Sequence, residues 1–205
     1  MKWLNVSLRT QLMTLVCAIV LVSLVMTMLL GIEVHRRFSA LEEDRMLLHL
    51  EQIRAAVHRD ITRLESLTAD WAPWDDTVRF VEGNYPEYIE TNIPEDLFTG
   101  IKVNLFLIVD AAGSVKFARN YDLQSEQDME VPQEVLALVQ PGGPFHHFKD
   151  ERDQISGIYL FPDRVLLASA RPIVTTDYEG PSRGALLFGA WLDDALVEHL
   201  QEITG

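Results

Sequence analysis

Paired acidic residues and a histidine doublet are the side-chain arrangements in this sequence that could carry out chemistry. Asp75 and Asp76 could act as a general acid and a general base, but adjacent side chains point apart unless the backbone bends sharply. We expect Asp75 to cap a helix that begins near Asp76, with ligand contact as the alternative. His146 and His147 match no metal-ligand spacing, so we expect them in a solvated loop.

Signatures of common catalytic and cofactor sites are missing from the sequence. It contains no Gly-rich phosphate loop and no nucleophile elbow around a serine. Its one cysteine, Cys17, lies inside an apolar run, which excludes a disulfide scaffold and a cysteine-based zinc site. We therefore predict that the chain is not an enzyme and that it uses no cofactor and no catalytic metal.

One predicted strand, Val103–Asp110, carries polar groups on only one of its faces. Its odd positions are all apolar, whereas its even positions include Asn104 and Phe106. Because successive side chains of a strand point to opposite faces, we expect the apolar face to contact a long helix. Asn104 and Phe106 would then lie on the other side of the sheet.

Arg171 ends another predicted strand and is the strongest candidate for binding an anion. A half-buried guanidinium group is suited to a carboxylate, because it can donate two parallel hydrogen bonds. The alternative is an internal salt bridge to an aspartate such as Asp75 or Asp110. The sequence leaves both possibilities open.

The elements that must position these residues begin with a membrane anchor. Residues 10–32 carry no charged side chain, and Leu12–Ile32 is long enough to span a bilayer core of about 30 Å. The exit from this run is a poor cleavage site, so we predict an uncleaved anchor. Because the leading segment is short, we expect residues 1–9 in the cytoplasm and residues 33–205 outside it.

The part after the membrane is acidic. Its 15 Lys and Arg and 31 Asp and Glu give a formal charge of −16. Such a surface repels phosphate backbones, so we exclude nucleic acid as a partner. The 173 residues from 33 onward suffice for one globular domain with a sizeable core.

Residues 33–69 contain neither Gly nor Pro and predict one long helix. Its apolar residues follow two successive stripes, whose phase changes near residue 49. The stripes are Val34, Phe38, Leu41 and Leu48, then Leu50, Ile53, Val57, Ile61, Leu64 and Trp71. Two stripes imply two packing partners: a second helix near the membrane, then the domain's own sheet. A single helix lying on one broad core is the alternative.

From residue 101 the apolar period changes to two, which predicts strands. We predict a short helix at Pro132–Gln140, a loop at residues 121–131, and a closing helix at Asp193–Thr204. The strands are predicted at Val103–Asp110, Ser114–Asn120, Ser156–Phe161, Arg164–Arg171 and Arg183–Trp191. The expected class is α+β, with an antiparallel sheet of about five strands on the long helix.

A block of aromatic and acidic residues carries a family resemblance. It reads Asp70-Trp71-Ala72-Pro73-Trp74-Asp75-Asp76-Thr77, then Phe80, Tyr85, Tyr88-Ile89, Asn92, Asn104-Leu105, Asp110 and Gly113. This pattern resembles the CHASE sensory domain of the fourth type. In that family a D-W-x-x-W-D-D block precedes an N-hydrophobic-x-x-hydrophobic-D-x-x-G strand and turn. The later stretches Ala168–Ile173, Gly180-Pro181 and Arg183-Gly184 are also similar, and the resemblance covers about residues 60–203.

The resemblance implies an extracytoplasmic ligand-sensing domain related to the PAS-like Cache folds. In such proteins a second membrane helix leads to a histidine kinase, diguanylate cyclase or cyclic-di-GMP phosphodiesterase. The sequence ends at Gly205 with no such segment, so we expect a fragment of a longer receptor. With the sheet geometry, the resemblance places the ligand beside five residues: Trp74, Asp75, Asn104, Phe106 and Arg171.

Three partners are expected: an unknown small-molecule ligand, membrane lipid, and a second copy in a parallel homodimer. The stripe from Val34 to Leu48 has the spacing of a coiled-coil seam, so we expect dimer contacts within residues 33–49. The location would be the inner membrane, crossed once by this chain. The competing hypothesis is a dimerisation or protein-docking module without a small-molecule pocket.

Overall fold

A single helix, α1 (Leu8–Trp71), contains both the apolar run and the long helix predicted after it. The computed structural model describes the backbone of residues 8–192 and the side chains of residues 9–31, 33 and 45–192. Two compact units divide the chain, Met1–Gln52 and Ile53–Gly205. The predicted closing helix at Asp193–Thr204 lies outside the described residues.

The apolar part of α1 has the length and composition of a membrane span. It runs over Arg9–Gly31, with a mean hydropathy of 2.7 and no buried residue. Gly31 does not interrupt the helix. A glycine costs a helix only about 1 kcal/mol relative to alanine, which the flanking leucines and isoleucine can offset.

In the second unit, α1 packs on the sheet through the second predicted stripe. Leu64 is fully buried, and Val57, Ile61 and Trp71 pack against the same core. This confirms the sheet as one partner of the long helix. In the first stripe, Leu48 is 57% exposed, and the other three side chains lie outside the described ones. A second helix as their partner stays a prediction.

Three short helices connect α1 to the sheet. They are α2 (Asp75–Val81), α3 (Tyr88–Asn92) and α4 (Leu97–Ile101). Only the first was indicated by the sequence. Lys102 follows α4 as its C-cap with a left-handed φ of 54°, and the Val103 N–H donates to the Phe98 carbonyl oxygen (3.1 Å). This tight end turns the chain into the first strand.

The sheet is antiparallel throughout and has six strands, one more than expected, in the order β3-β2-β1-β6-β5-β4. Helix α5 (Gln133–Val139) follows the third strand. The strands are β1 (Leu105–Asp110), β2 (Val115–Asp122), β3 (Gln127–Met129), β4 (Ile155–Leu160), β5 (Val165–Pro172) and β6 (Gly184–Trp191). The class predicted from sequence, α+β with an antiparallel sheet on a long helix, is confirmed.

The extra strand, β3, lies where a loop was predicted. Its three residues are all exposed, and it pairs only with β2, from Asn120↔Met129 to Asp122↔Gln127. An exposed strand of three residues leaves no alternating apolar pattern, so periodicity could not reveal it.

The two faces of β1 are reversed relative to the prediction. Phe106 and Ile108 belong to the core under α1, whereas Leu105 and Leu107 pack with α5 on the opposite face. The expectation that the odd residues contact the long helix is therefore wrong. Both faces of this central strand are buried and apolar, so alternation could not tell which face meets which helix.

Candidate functional site

Trp71, the last residue of α1, packs against the sheet, and Trp74 stacks on it. Trp71 and Trp74 stack with ring centroids 5.0 Å apart. Trp71 also meets Phe106 and Phe188 edge to face, at 5.6 and 5.8 Å. Such aromatic contacts add about 0.5–1.5 kcal/mol each beyond the area buried. Trp71 thus packs against the core, whereas the contact shown for Trp74 is with Trp71.

Asp75 does not cap the helix, which corrects the prediction. Helix α2 begins at Asp75 itself, and Trp74 occupies the cap position without a side-chain hydrogen bond. The exposed Asp75 carboxylate instead accepts a hydrogen bond from the Thr176 N–H (3.0 Å), and Asp76 pairs with Arg79 (3.1 Å). The two neighbouring carboxylates thus serve different partners.

A buried hydroxyl pair lies beneath this block. Thr77 and Tyr88 are fully buried, and their hydroxyl oxygens lie 2.8 Å apart. Burial raises the pKa of the Tyr88 hydroxyl above its ordinary value, although the hydrogen bond to Thr77 acts in the opposite direction. Sequence reasoning did not assign this pair. Its explanation is structural, because it satisfies two polar groups inside the core.

Asn104 joins three strands at the start of β1. Its Nδ2 donates to the Tyr121 carbonyl oxygen and its Oδ1 accepts from the Trp191 N–H, both at 2.9 Å. Its backbone adds a bond to each neighbouring strand, through Gly189 and Tyr121. The side chain is 8% exposed and extends the ladders of β2 and β6 by one step.

We expect Asn104→Ala to lower the free energy of unfolding by about 2–4 kcal/mol, because a donor and an acceptor lose their partner near the core. Asn92→Ala is the matched control, since it removes one hydrogen bond, to the Tyr88 carbonyl oxygen within α3. Denaturant unfolding of the full chain in detergent micelles measures both. Equal effects of the two substitutions would contradict this role of Asn104.

The D-x-x-G motif after β1 forms a turn. Asp110 Oδ1 accepts hydrogen bonds from the N–H groups of Ala112 and Ser114, both at 2.9 Å, and Oδ2 pairs with Lys116 at 3.1 Å. Burial raises the pKa of the Asp110 carboxyl, but the bonds from Ser114, Lys116 and Ala112 outweigh it and hold the pKa below its ordinary value. Gly113, at φ 80°, supplies the left-handed residue of the turn.

Arg171 takes part in a polar network between α1 and the strands β4 and β5. Its Nη2 donates to Gln154 Oε1 at 3.0 Å. Asp75 and Asp110 bind other groups, so the predicted alternative of a salt bridge from Arg171 to either of them is wrong. Arg171 Nε is buried and has no hydrogen-bond partner within residues 8–192.

Gln154 connects this network to α1. Its Nε2 lies 2.9 Å from the Glu65 carbonyl oxygen, 3.0 Å from Thr68 Oγ1 and 3.1 Å from Ser169 Oγ. The Ser156 hydroxyl donates to the Glu65 carboxylate. Sequence reasoning missed Gln154, because a glutamine just before a strand carries no signal of its own.

A cleft of about 530 Å³ lies where β1 begins and β6 ends, and Asn104 is in its lining. Trp191 Nε1 donates to Asn120 Oδ1 at 3.1 Å, and Asp163 pairs with Arg164 at 2.8 Å within the same lining. The polar groups of this cleft are thus largely occupied by contacts within the protein.

A smaller cleft of about 270 Å³ lies at the other end of the same two strands. The loop of residues 146–151 lines it together with Asp110 and Ser182. His146 and His147 lie in this loop, as predicted, and their rings meet edge to face at 4.8 Å. Among the described residues, no cluster of three His, Cys, Asp or Glu could hold a metal ion.

The five predicted ligand residues do not line one cavity. Asn104 borders the larger cleft, and Phe106 is fully buried under Trp71. Asp75 is bound to the segment after β5, whereas Arg171 belongs to the network with Gln154. Ligand contact by these residues stays a prediction, and Arg171 is the one whose own bonding is incomplete.

Solved structures with the same fold come from extracellular and signalling proteins. The extracellular domain of vpHK1S-Z8, a protein described as a histidine kinase, has a TM-score of 0.51 and 13% identity, covering 75% of this chain and 57% of its own. A domain from Vibrio parahaemolyticus, described as belonging to a sensory box/GGDEF protein, has a TM-score of 0.52 and 12% identity, over 71% and 58% of the two chains. At these low identities, the two likenesses show that the chain shares the fold of these domains.

The chain belongs to the CHASE4 domain family, whose model matches residues 56–205. It is also 26% identical, over 193 residues, to the methanogenesis regulatory histidine kinase FilI of Methanothrix harundinacea (strain 6Ac). That match covers 94% of this chain and 21% of the relative, so the chain spans about a fifth of that protein. The part that the structure describes is a sensor domain of the kind found in histidine-kinase-like signalling proteins.

Proposed function

We propose that this chain is the extracytoplasmic, ligand-sensing part of a membrane-anchored receptor. Residues 10–32 would cross the inner membrane, with residues 1–9 in the cytoplasm and residues 33–205 outside. An output domain such as a histidine kinase, diguanylate cyclase or phosphodiesterase would belong to the rest of the receptor. The likeness to an extracellular domain and to a regulatory kinase supports this proposal.

One observation carries the proposal. The apolar span Arg9–Gly31 and the residues that pack on the sheet belong to the same helix, α1. A change in how the sheet holds α1 therefore acts on the element that enters the membrane. A ligand can cause such a change only through different affinities for the two arrangements.

The first test is topology. A reporter enzyme that is active only outside the cytoplasm, fused after Gly205, should give strong activity in cells. A reporter that is active only in the cytoplasm, fused at the same point, should give none, because the acidic domain is expected outside. Strong activity of the cytoplasmic reporter would overturn the proposed orientation.

A parallel homodimer is part of the proposal. Two chains held by membrane helices meet at high effective concentration, so a short seam can suffice for pairing. Single cysteines replacing Val34, Phe38, Leu41 or Leu48, in a Cys17→Ser background, should cross-link between chains more strongly than controls. The matched controls are Arg36→Cys and Glu43→Cys, which the spacing of 3.6 residues per turn would put on the opposite side of a helix from the seam. Equal cross-linking at seam and control positions would contradict the dimer.

The rival proposal, a docking or dimerisation module without a small-molecule pocket, draws support from the filled core around Phe106. Two observations favour sensing: the two clefts at the ends of β1 and β6, and the incompletely bonded Arg171. The acidic surface supports the absence of a nucleic-acid partner. Lipid would contact only the membrane span.

A further inference from the structure

Arg171 holds the one described side-chain atom that is buried, polar and without a hydrogen-bond partner, its Nε. The guanidinium group makes a single hydrogen bond, from Nη2 to Gln154 Oε1 at 3.0 Å, and it forms no ion pair in the described part of the chain. A buried N–H donor without a partner is unfavourable, because the water it has lost is not replaced. On a cationic guanidinium group, such a donor is suited to an anion.

The geometry of the guanidinium group identifies the kind of anion. Nε–H and one Nη2–H point in the same direction along one edge of the plane, and this edge binds a carboxylate through two parallel hydrogen bonds. In the structure, Nη2 donates to the single oxygen of the Gln154 carboxamide, and Nε donates to no described group. A carboxylate would supply two oxygens and the missing negative charge.

Gln154 can leave this position at modest cost. Its Nε2 has two hydrogens but three acceptors within 3.1 Å, so its bonds to Glu65, Thr68 and Ser169 cannot all be made at once. Thr68 Oγ1 and Ser169 Oγ also lie 3.0 Å from each other. This pair keeps a hydrogen bond when the carboxamide departs.

We propose that Arg171 binds the carboxylate of a small acidic ligand, which displaces the Gln154 carboxamide and thereby releases Gln154 from α1. A carboxylate bound to both Nε and Nη2 would take the place of the Gln154 oxygen on Nη2. Its arrival is thus coupled to the loss of the bonds to Glu65 and Thr68, both on α1. This inference rests on the proposed sensing function and adds the ligand class and the first step of the signal.

A double-mutant cycle tests whether the edge accepts a carboxylate. Gln154→Glu places a carboxylate where the carboxamide oxygen stands, and Arg171→Gln removes the guanidinium group. In the full chain in detergent micelles, Arg171→Gln should lower the Tm by several degrees more in the Gln154→Glu background than in the native one. Gln133→Glu, an exposed position on α5, is the matched control and should combine additively with Arg171→Gln. An additive cycle for Gln154→Glu would overturn the proposal.

Sodium acetate tests the same edge from solution, against sodium chloride of equal ionic strength. Acetate should raise the Tm of the native chain, since a ligand that binds only the folded state stabilises it. The rise should be absent in Gln154→Glu, where the edge is already filled, and in Arg171→Lys, which keeps the charge without the paired donors. No rise in the native chain, or an equal rise in all three proteins, would overturn the proposal.

Hydrogen exchange measures the coupling to α1. With acetate, exchange of the amides in residues 61–71 should increase in the native chain and stay unchanged in Arg171→Lys. A Tm rise with unchanged exchange would overturn the release of Gln154. These outcomes differ from a failure of the sensing proposal itself, because the reporter fused after Gly205 tests location and does not depend on Arg171.

Discussion

Gly184→Ala should lower the free energy of unfolding by about 3 kcal/mol or more, because the new methyl group has no space. A Cβ at Gly184 would overlap the Val109 carbonyl oxygen and would lie 2.9 Å from Asp110 Cα. These are backbone atoms of β1, paired with β6 at Asp110↔Gly184, so they cannot move without breaking the ladder. The φ of 152° adds strain for a residue with a side chain. Denaturant unfolding, followed by tryptophan fluorescence, measures the loss.

Alanine substitutions at two other glycines serve as comparisons for Gly184→Ala. Gly100, within α4, has no atom within 4 Å of a new Cβ, so Gly100→Ala should be neutral or stabilising by up to about 1 kcal/mol. At Gly189 the nearest atom is the end of the Leu166 side chain, at 2.9 Å, which can shift. Gly189→Ala should therefore fall between the other two. A mild effect of Gly184→Ala would show that β1 and β6 are not paired in this register.

Phe106→Ala should cost about 3–5 kcal/mol of unfolding free energy, the range typical of a buried phenylalanine. The Phe106 side chain is fully buried, with ring centroids 4.3 Å from Phe188, 5.3 Å from Phe117 and 5.6 Å from Trp71. Its removal would leave a cavity between the sheet and α1. Thermal or denaturant unfolding of the full chain measures the cost.

Phe106→Ala also tests whether the sheet face around Phe106 is a filled core or an open ligand pocket. Phe148, which is partly buried beside the smaller cleft, is the matched control, and Phe148→Ala should cost less than half as much. If Phe106 instead lined an open ligand pocket, its replacement would be as mild as that of Phe148 and would weaken ligand response rather than folding.

The long helix, helix α5 and five of the six strands followed from the sequence. The five predicted strands occur within two residues of their expected ends, because turn residues such as Asp110–Gly113 and Pro162-Asp163 separate the apolar runs. The long helix was recognisable because residues 33–69 lack Gly and Pro. These signals are local, since they depend on side-chain propensity and on the period of apolar residues.

The faces of the sheet were decided by tertiary structure. β1 is buried on both sides, by α1 over Phe106 and by α5 over Leu107. Its sequence is therefore apolar on both faces and does not show which face meets which helix. Only the packing of the two helices distinguishes the sides. The short strand β3 likewise depends on its pairing with β2, because none of its residues is buried.

For the candidate site too, some properties follow from the sequence and others only from the tertiary structure. The sequence by itself determined the apolar helix long enough to span a membrane, the α+β class and the family block around Trp71, since these are properties of residue type and spacing. Only the tertiary structure decided that Arg171 has no carboxylate partner among the described residues and that Gln154 and Thr68 contact each other across 86 residues of chain. The physical reason is that hydrogen-bond partners are selected by distance in space, whereas periodicity and propensity act over only a few neighbouring residues.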